Sequence, residues 1–276
     1  MLYYLFNYLD QRDFPGAGMF NYVTFRAAIA IILALVISVW FGNWFIKLLK
    51  RKKISETQRD AAIDPYNTKK VGVPTMGGVI IITAILVPVL LVSKLHSVYT
   101  LLMIATTLIL GLLGFSDDYI KTFRHKKDGL SPKVKLGGQI LLGLIVGLTL
   151  RFSPAVQINE TVELKIENNK EIVVKSPDVK STRTTIPFVK SHNLNYADLF
   201  KWAGPKWRYN LAWVFFVLLT IFVVAAVSNG SNLNDGMDGM ASGNSAIIGL
   251  TLLLLAYISS NAVTASHLNL KYIRGS

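Results

Sequence analysis

Cysteine is absent from the 276 residues, so neither a disulfide framework nor a thiolate metal site is available to this chain. Histidine is nearly as scarce: His96, His125, His192 and His267 stand alone and form no cluster. Charge is thin as well, with 16% of residues charged against 52% hydrophobic, and mean hydropathy is positive. No charged side chain interrupts Tyr209 to Ser228, and none follows Asp238 until Lys271. Runs this long and apolar exclude an ordinary soluble core and mark an all-α polytopic membrane protein. The N-terminus has no basic region followed by a short apolar core and a small-residue cleavage site, so a cleaved signal peptide is not expected. Residues 1 to 26 instead read as an interfacial segment, because Tyr3, Tyr4, Phe6, Tyr8 and Phe14 alternate there with Asp10, Arg12 and Asp13.

Acidic residues number 16 against 29 basic ones. That excess suits a nucleic-acid binder only if the basic residues share a surface, and here they concentrate in loops between apolar runs. No nucleic-acid partner is expected, and membrane orientation accounts for the charge. Six transmembrane helices are predicted, at Ala27 to Ile46, Gly77 to Ser93, His96 to Ser116, Leu136 to Leu150, Tyr209 to Ser228 and Met240 to Ser260. The fourth is short, and its first turn should stand partly in water, opened by Ser131 as N-cap and Pro132 at the first helical position. Lys47, Lys50, Arg51, Lys52, Lys53, Arg59, Lys69 and Lys70 fill the first loop, and Lys121, Arg124, Lys126, Lys127, Lys133 and Lys135 the third, while the loop between them holds only Lys94. The first and third loops are therefore cytoplasmic and the N-terminus lies outside. Residues 152 to 208 become an external loop, where alternation over Val156 to Ile166 and Glu171 to Lys175 predicts a periplasmic β-hairpin. The whole of 1 to 276 reads as one integral membrane domain.

Three polar constellations fall at span ends on the cytoplasmic side. Asn229 to Gly243 packs three asparagines, two aspartates and four glycines between apolar runs. Asn-Gly and Asp-Gly steps make good turns, which is the plain reading. Asn229, Asn232, Asp235 and Asp238 recur every third residue, however, and that spacing sets side chains on neighbouring faces of a helical turn. At GFSDDYIK, Asp117 and Asp118 are adjacent, with Lys121 one turn on. Paired carboxylates at a membrane edge need a cation, a shared proton or a lysine, unless they are simply solvated at a helix end. In KKVGVPTMGG, Lys69 and Lys70 suit a phosphate, Pro74 stops a preceding helix, and Gly77 and Gly78 allow close backbone approach. Alone that stretch is a generic basic loop. Together the three supply lysines for phosphates and oxygens for magnesium, which takes few protein ligands and completes its shell with water and substrate phosphates. Such a site suits phosphoryl transfer between a water-soluble nucleotide and a lipid.

PTMGG at 74 to 78, GFSDDYIK at 114 to 121, GLSPKVKLGGQ at 129 to 139 and NxxNxxDGxDG at 229 to 239 occur in one order. In this the chain resembles the polyprenyl-phosphate N-acetylhexosamine-1-phosphate transferases, and among them the phospho-N-acetylmuramoyl-pentapeptide transferases of peptidoglycan synthesis, for which PTMGG is the discriminating element. The resemblance implies a magnesium-dependent enzyme of the bacterial inner membrane, working as a homodimer. It would move phospho-N-acetylmuramoyl-pentapeptide from UDP-N-acetylmuramoyl-pentapeptide to undecaprenyl phosphate, giving lipid I and UMP. It further implies Asp117, Asp118 and Asp235 as catalytic carboxylates, Asp117 being the base, and Asn232 as a metal ligand. Lys70, Thr75, Lys121, Lys133, Asp235, Gly236, Met237 and Asp238 would bind substrate.

The chain departs from that family in one respect. The family has about ten spans, an FMGD motif and a histidine-rich loop in its later part, and the six spans here include neither motif. A truncated chain is the expectation, and with it a non-catalytic fragment as one alternative. A relative using another UDP-N-acetylhexosamine is a second alternative. A transporter is the third, disfavoured because transport sites sit near the bilayer midplane.

Overall fold

The computed structural model of the chain describes residues 1–52, 54, 74–124, 129–159, 162–167, 170–175, 179–185, 193–235, 239–268 and 270–273. Its contacts fall into two compact units, Met1–Gly138 and Gln139–Ser276. The chain is a mostly helical, polytopic membrane protein, with five helices long and apolar enough to cross a bilayer and one shorter apolar helix among the described residues.

In the first unit, helix α1 (Leu2–Asp10) and a 3-10 turn (Ala17–Asn21) fold together, with Phe6 stacked on Phe20 at 3.9 Å and the Asn21 amide donating to Asp10 at 2.9 Å. Helix α2 (Val23–Arg51) then runs 29 residues and closes on Lys50 and Arg51, cations that suit the negative end of a helix. Helix α3 (Gly78–Val92) is the shorter apolar helix at the second of the six expected spans. It has 15 residues, about 22 Å at the usual rise, short of a hydrocarbon core of about 30 Å. The apolar run is 17 residues long, and its ends are lost to the cap at Gly77 and to the extended backbone at Ser93. Helix α4 (Val98–Phe123) is full length. Close packing here comes through other glycines than those expected. A Cβ at Gly77 or Gly78 would meet nothing within 4 Å, whereas one at Gly111 would lie 2.6 Å from Ile82 and one at Gly138 2.6 Å from Leu113. The PTMGG stretch has a different feature: Met76 is buried at φ 69°, a left-handed setting uncommon for a side chain of this kind.

Helix α5 (Pro132–Phe152) opens at Ser131 and Pro132 as expected, with the Ser131 carbonyl accepting from Val134 at 3.0 Å and from Lys135 at 3.2 Å. At 21 residues it is long enough to span, beyond the short run expected. From Gln139 onward it belongs to the second unit. There it packs on helix α6 (Gly204–Asn234) with very small separation: a Cβ at Gly143 would stand 2.6 Å from the Ile221 Cα, and one at Gly147 3.3 Å from the Val217 Cα. Gln139, Gly143 and Gly147 share one buried face, spaced by four. Helix α7 (Met240–Ser260) buries none of its residues, and α8 (Ala262–His267) follows, its Asn261 cap accepting from the Val263 amide at 3.0 Å.

Strands β2 (Val162–Glu167) and β3 (Lys170–Lys175) form the anticipated hairpin, antiparallel and closing on the pair Glu167↔Lys170. Short pairs of strands add to it: β4 (Arg183–Thr185) with β5 (Asn193–Asn195), and β1 (Ile158–Asn159) with β6 (Tyr272–Ile273). Behind β5, Tyr196 is buried, exchanges a hydrogen bond with the Thr184 hydroxyl at 2.7 Å, and packs against Phe215. Arg208 donates to the Ala197 carbonyl at 2.7 Å and pairs with Asp198, so the start of α6 is anchored to the segment before it.

The α5–α6 contact makes a measurable forecast. Gly143→Ala should destabilise the protein by about 1 to 3 kcal/mol, because the new methyl meets backbone. Gly249→Ala, with open space around it, should be neutral or stabilise by up to roughly 1 kcal/mol. Thermal unfolding in detergent compares the two.

Candidate functional site

Helix α4 carries no charge from Val98 to Ser116, then presents two carboxylates. Asp117 is buried, and three donors converge on it. Lys121, one turn on in the same helix, reaches Oδ2 at 2.8 Å; Lys135, from the first turn of α5, reaches Oδ1 at 2.9 Å. The Leu130 backbone N–H donates to Oδ1 at 2.7 Å. Burying a carboxylate demands this kind of compensation, and the two lysines supply more positive charge than one carboxylate cancels. Asp118, on the adjoining helix face about 100° away, is half-buried.

Gly129 is required by this arrangement twice over. Its φ of +65° lies in the left-handed region, and the Asp117 carboxylate occupies the space where a Cβ would stand. The connection before α5 is thereby laid directly on Asp117, and Leu130 is delivered as a donor. Of the lysines expected to bind substrate, Lys121 lies on Asp117 and Lys133 is exposed; Lys135, which that expectation did not include, is the second lysine on Asp117. Two residues apart on a helix, Lys133 and Lys135 point about 200° away from each other, so α5 can turn only one of them toward α4. Thr75 also belongs to the first unit, its hydroxyl 3.4 Å from that of Thr122, one turn beyond Asp118 on α4. Lys70 lies outside the described residues.

In the second unit the Asn/Asp stretch is helical as far as Asn234, with Asp235 as its C-cap, so the turn expected on the plain reading begins later than Asn229. Gly239, at φ +81°, then caps α7. The asparagines divide into two sorts. Asn229 pairs with Gln139 of α5: the Gln139 amide donates to Asn229 Oδ1 at 3.2 Å and to Ser228 Oγ at 3.0 Å, and the Asn229 amide donates back to Gln139 Oε1 at 3.1 Å. Asn234 accepts from the Asn244 amide of α7 at 3.3 Å. Asn232 and Asp235 are exposed and make no side-chain hydrogen bond or ion pair to another described residue. Gly236, Met237 and Asp238 lie outside the described residues.

Among the described residues no three His, Asp or Glu side chains gather as a ready metal cage. The Asn232 amide oxygen and the Asp235 carboxylate are nevertheless hard donors on the exposed end of one helix. They fit a magnesium ion that keeps several waters and takes its remaining ligands from substrate phosphates.

Comparison with known proteins covers the same stretches. The profile described as Glycosyl transferase family 4 matches residues 100–271. A phospho-N-acetylmuramoyl-pentapeptide-transferase of Phocaeicola vulgatus is 63% identical over 277 residues, and one of Bacteroides fragilis 61% over 277. One from Porphyromonas gingivalis is 50% identical over 276. Each alignment takes in 100% of this chain and 65% of the relative, so the chain spans 65% of the length of these curated relatives.

The ion-paired carboxylate sets a stability contrast. Lys135→Ala should cost about 1 kcal/mol or more, since Asp117 keeps its burial and loses a donor. Lys133→Ala, at an exposed position, should stay within about 0.5 kcal/mol of the parent. Paired thermal melts of the purified variants check both.

Proposed function

The chain belongs to glycosyl transferase family 4, and on that premise we propose that it carries groups that transfer phospho-N-acetylmuramoyl-pentapeptide from its UDP-linked precursor to undecaprenyl phosphate, releasing UMP and forming lipid I. The observation that carries the reading is identity along the whole chain to relatives named for that transfer. The reaction joins an oxygen of the lipid phosphate to the β-phosphorus of the nucleotide and breaks the bond from that phosphorus to the oxygen bridging toward UMP. Little covalent work falls to protein in such a step; positioning and charge neutralisation dominate.

The residues have separable tasks. Asp117 accepts the proton of the lipid phosphate, and Asp118 stands beside it. Lys121 and Lys135, both within 2.9 Å of Asp117, are cations that an incoming phosphate can engage. Lys70, Thr75 and Lys133 line the nucleotide's path, and Asp235, Gly236, Met237 and Asp238 border the nucleoside, with Asp235 as a third catalytic carboxylate. Asn232 helps to hold magnesium, which when bound would neutralise diphosphate charge. The polar span ends open to the cytoplasm of a cell whose inner membrane the chain crosses repeatedly, N-terminus outside. The protein works as a homodimer in this reading.

The test measures magnesium-dependent UMP release and lipid I formation. The chain is extended at Ser276 by the C-terminal spans of a relative, so that the segment found in those proteins is present. Asp117→Asn, Asp118→Asn and Asp235→Asn should each lower turnover by about a hundredfold or more. Lys70→Ala should raise the nucleotide KM by several-fold to about a hundredfold, with a smaller change for the lipid. Near-parental rates in all three carboxylate variants would remove the assignment.

A further inference from the structure

Gln139 is a polar side chain, 5% exposed, at the head of the apolar run of α5 that begins at Ile140. Its amide is used at both ends. Nε2 donates to Ser228 Oγ at 3.0 Å and Asn229 Oδ1 at 3.2 Å, and Oε1 accepts from Asn229 Nδ2 at 3.1 Å. A reciprocal amide pair of this kind has a defined geometry, unlike the sliding apolar contact of leucine on leucine, and it sits on the same face as the close glycine contacts at Gly143 and Gly147. The glycines set how near α5 and α6 lie. Gln139 sets how far α6 is rotated about its own axis.

That rotation has a consequence three residues on. Asn232 follows Asn229 by about 300° around the helix, which is 60° short of a full turn, and Asp235 follows by about 60° more in the same sense. Once Asn229 is pointed at Gln139, the directions of Asn232 and Asp235 are settled. Further along, Asn234 is tied to Asn244 of α7. Asn229 and Asn234 thus brace the helix end from two helices, and Asn232 and Asp235, left without described partners, project from the braced segment.

We propose that Gln139, through Asn229, is a positioning residue that fixes Asn232 and Asp235 as oxygen donors for a divalent cation. The inference rests on the transferase reading for its metal, and its geometric half stands apart from that reading.

The experiment uses the purified chain and four variants: Gln139→Leu, Gln139→Asn, the exchanged double variant Gln139→Asn with Asn229→Gln, and Asn232→Ala. Two readouts are taken, backbone hydrogen exchange over residues 229–235 and binding of Mn2+ alone followed by its electron paramagnetic resonance signal. Gln139→Leu should speed exchange in that segment about tenfold and weaken Mn2+ binding about five- to tenfold. Asn232→Ala should weaken Mn2+ binding with exchange unchanged. The double variant, which keeps two amides with their lengths traded, should recover most of both effects, and Gln139→Asn alone should not. If Gln139→Leu proves too unstable to purify, the contrast between Gln139→Asn and the double variant decides. Unchanged exchange in the single variants would overturn the brace. Faster exchange with unaltered Mn2+ affinity would show a packing role and overturn positioning. A parent chain that binds no Mn2+ while Gln139→Leu still loosens the segment would count against the metal reading under the proposed function, and would leave Gln139 nothing to position.

Discussion

A carboxylate at the end of a hydrocarbon-length helix has to be compensated where it stands, and much of the first unit follows from how Asp117 meets that demand. Nineteen residues without charge precede it in α4, from Val98 to Ser116. One cation comes from its own helix, another from α5, and a backbone donor from the connection between them. Because the connection must approach within hydrogen-bond distance, residue 129 has to be glycine, and because Lys135 must face α4, the rotation of α5 at its first turn is set. An electrostatic requirement at one atom thus determines a loop and a helix entry.

The second unit applies a neutral version of the same logic. Where α5 and α6 touch at glycines, nothing in the apolar contact prevents one helix from rolling on the other. A half-buried amide pair removes that freedom, since turning α6 would leave both ends of the buried Gln139 amide without partners. The result is a division of labour among similar residues. Asn229 and Asn234 are bound to neighbouring helices, and Asn232 and Asp235 are held outward.

What could be read in the sequence was whatever depends on neighbours in the chain. Uncharged runs locate the helices, Ser131 and Pro132 locate the start of α5, and alternation around Glu167 to Lys170 locates the hairpin. The length of α3 was harder, because 17 apolar residues yield a 15-residue helix once the ends are given to caps. Choices that depend on which way a helix faces were not legible. Lys133 and Lys135 look equivalent in GLSPKVK, and only the packing of α5 against α4 separates them. Gln139 carries the faint signal of an amide in an apolar stretch, but its partners lie in α6, far along the chain. Gly77 and Gly78 looked like contact glycines beside Pro74 and are open, whereas Gly129, which is indispensable, looks like an ordinary loop residue.

The proposed function requires that the polar helix ends open to one face of the membrane, the cytoplasmic one. The absence of cysteine makes a direct measurement simple, because any introduced thiol is the only one. Ser131→Cys beside the Asp117 cluster, Ser231→Cys beside Asn232, and Lys94→Cys in the loop between α3 and α4 can each be probed with a membrane-impermeant maleimide, in spheroplasts and in inside-out vesicles. The account predicts that Ser131→Cys and Ser231→Cys label only in inside-out vesicles and Lys94→Cys only in spheroplasts. Labelling of Ser131→Cys and Ser231→Cys from opposite sides would contradict it.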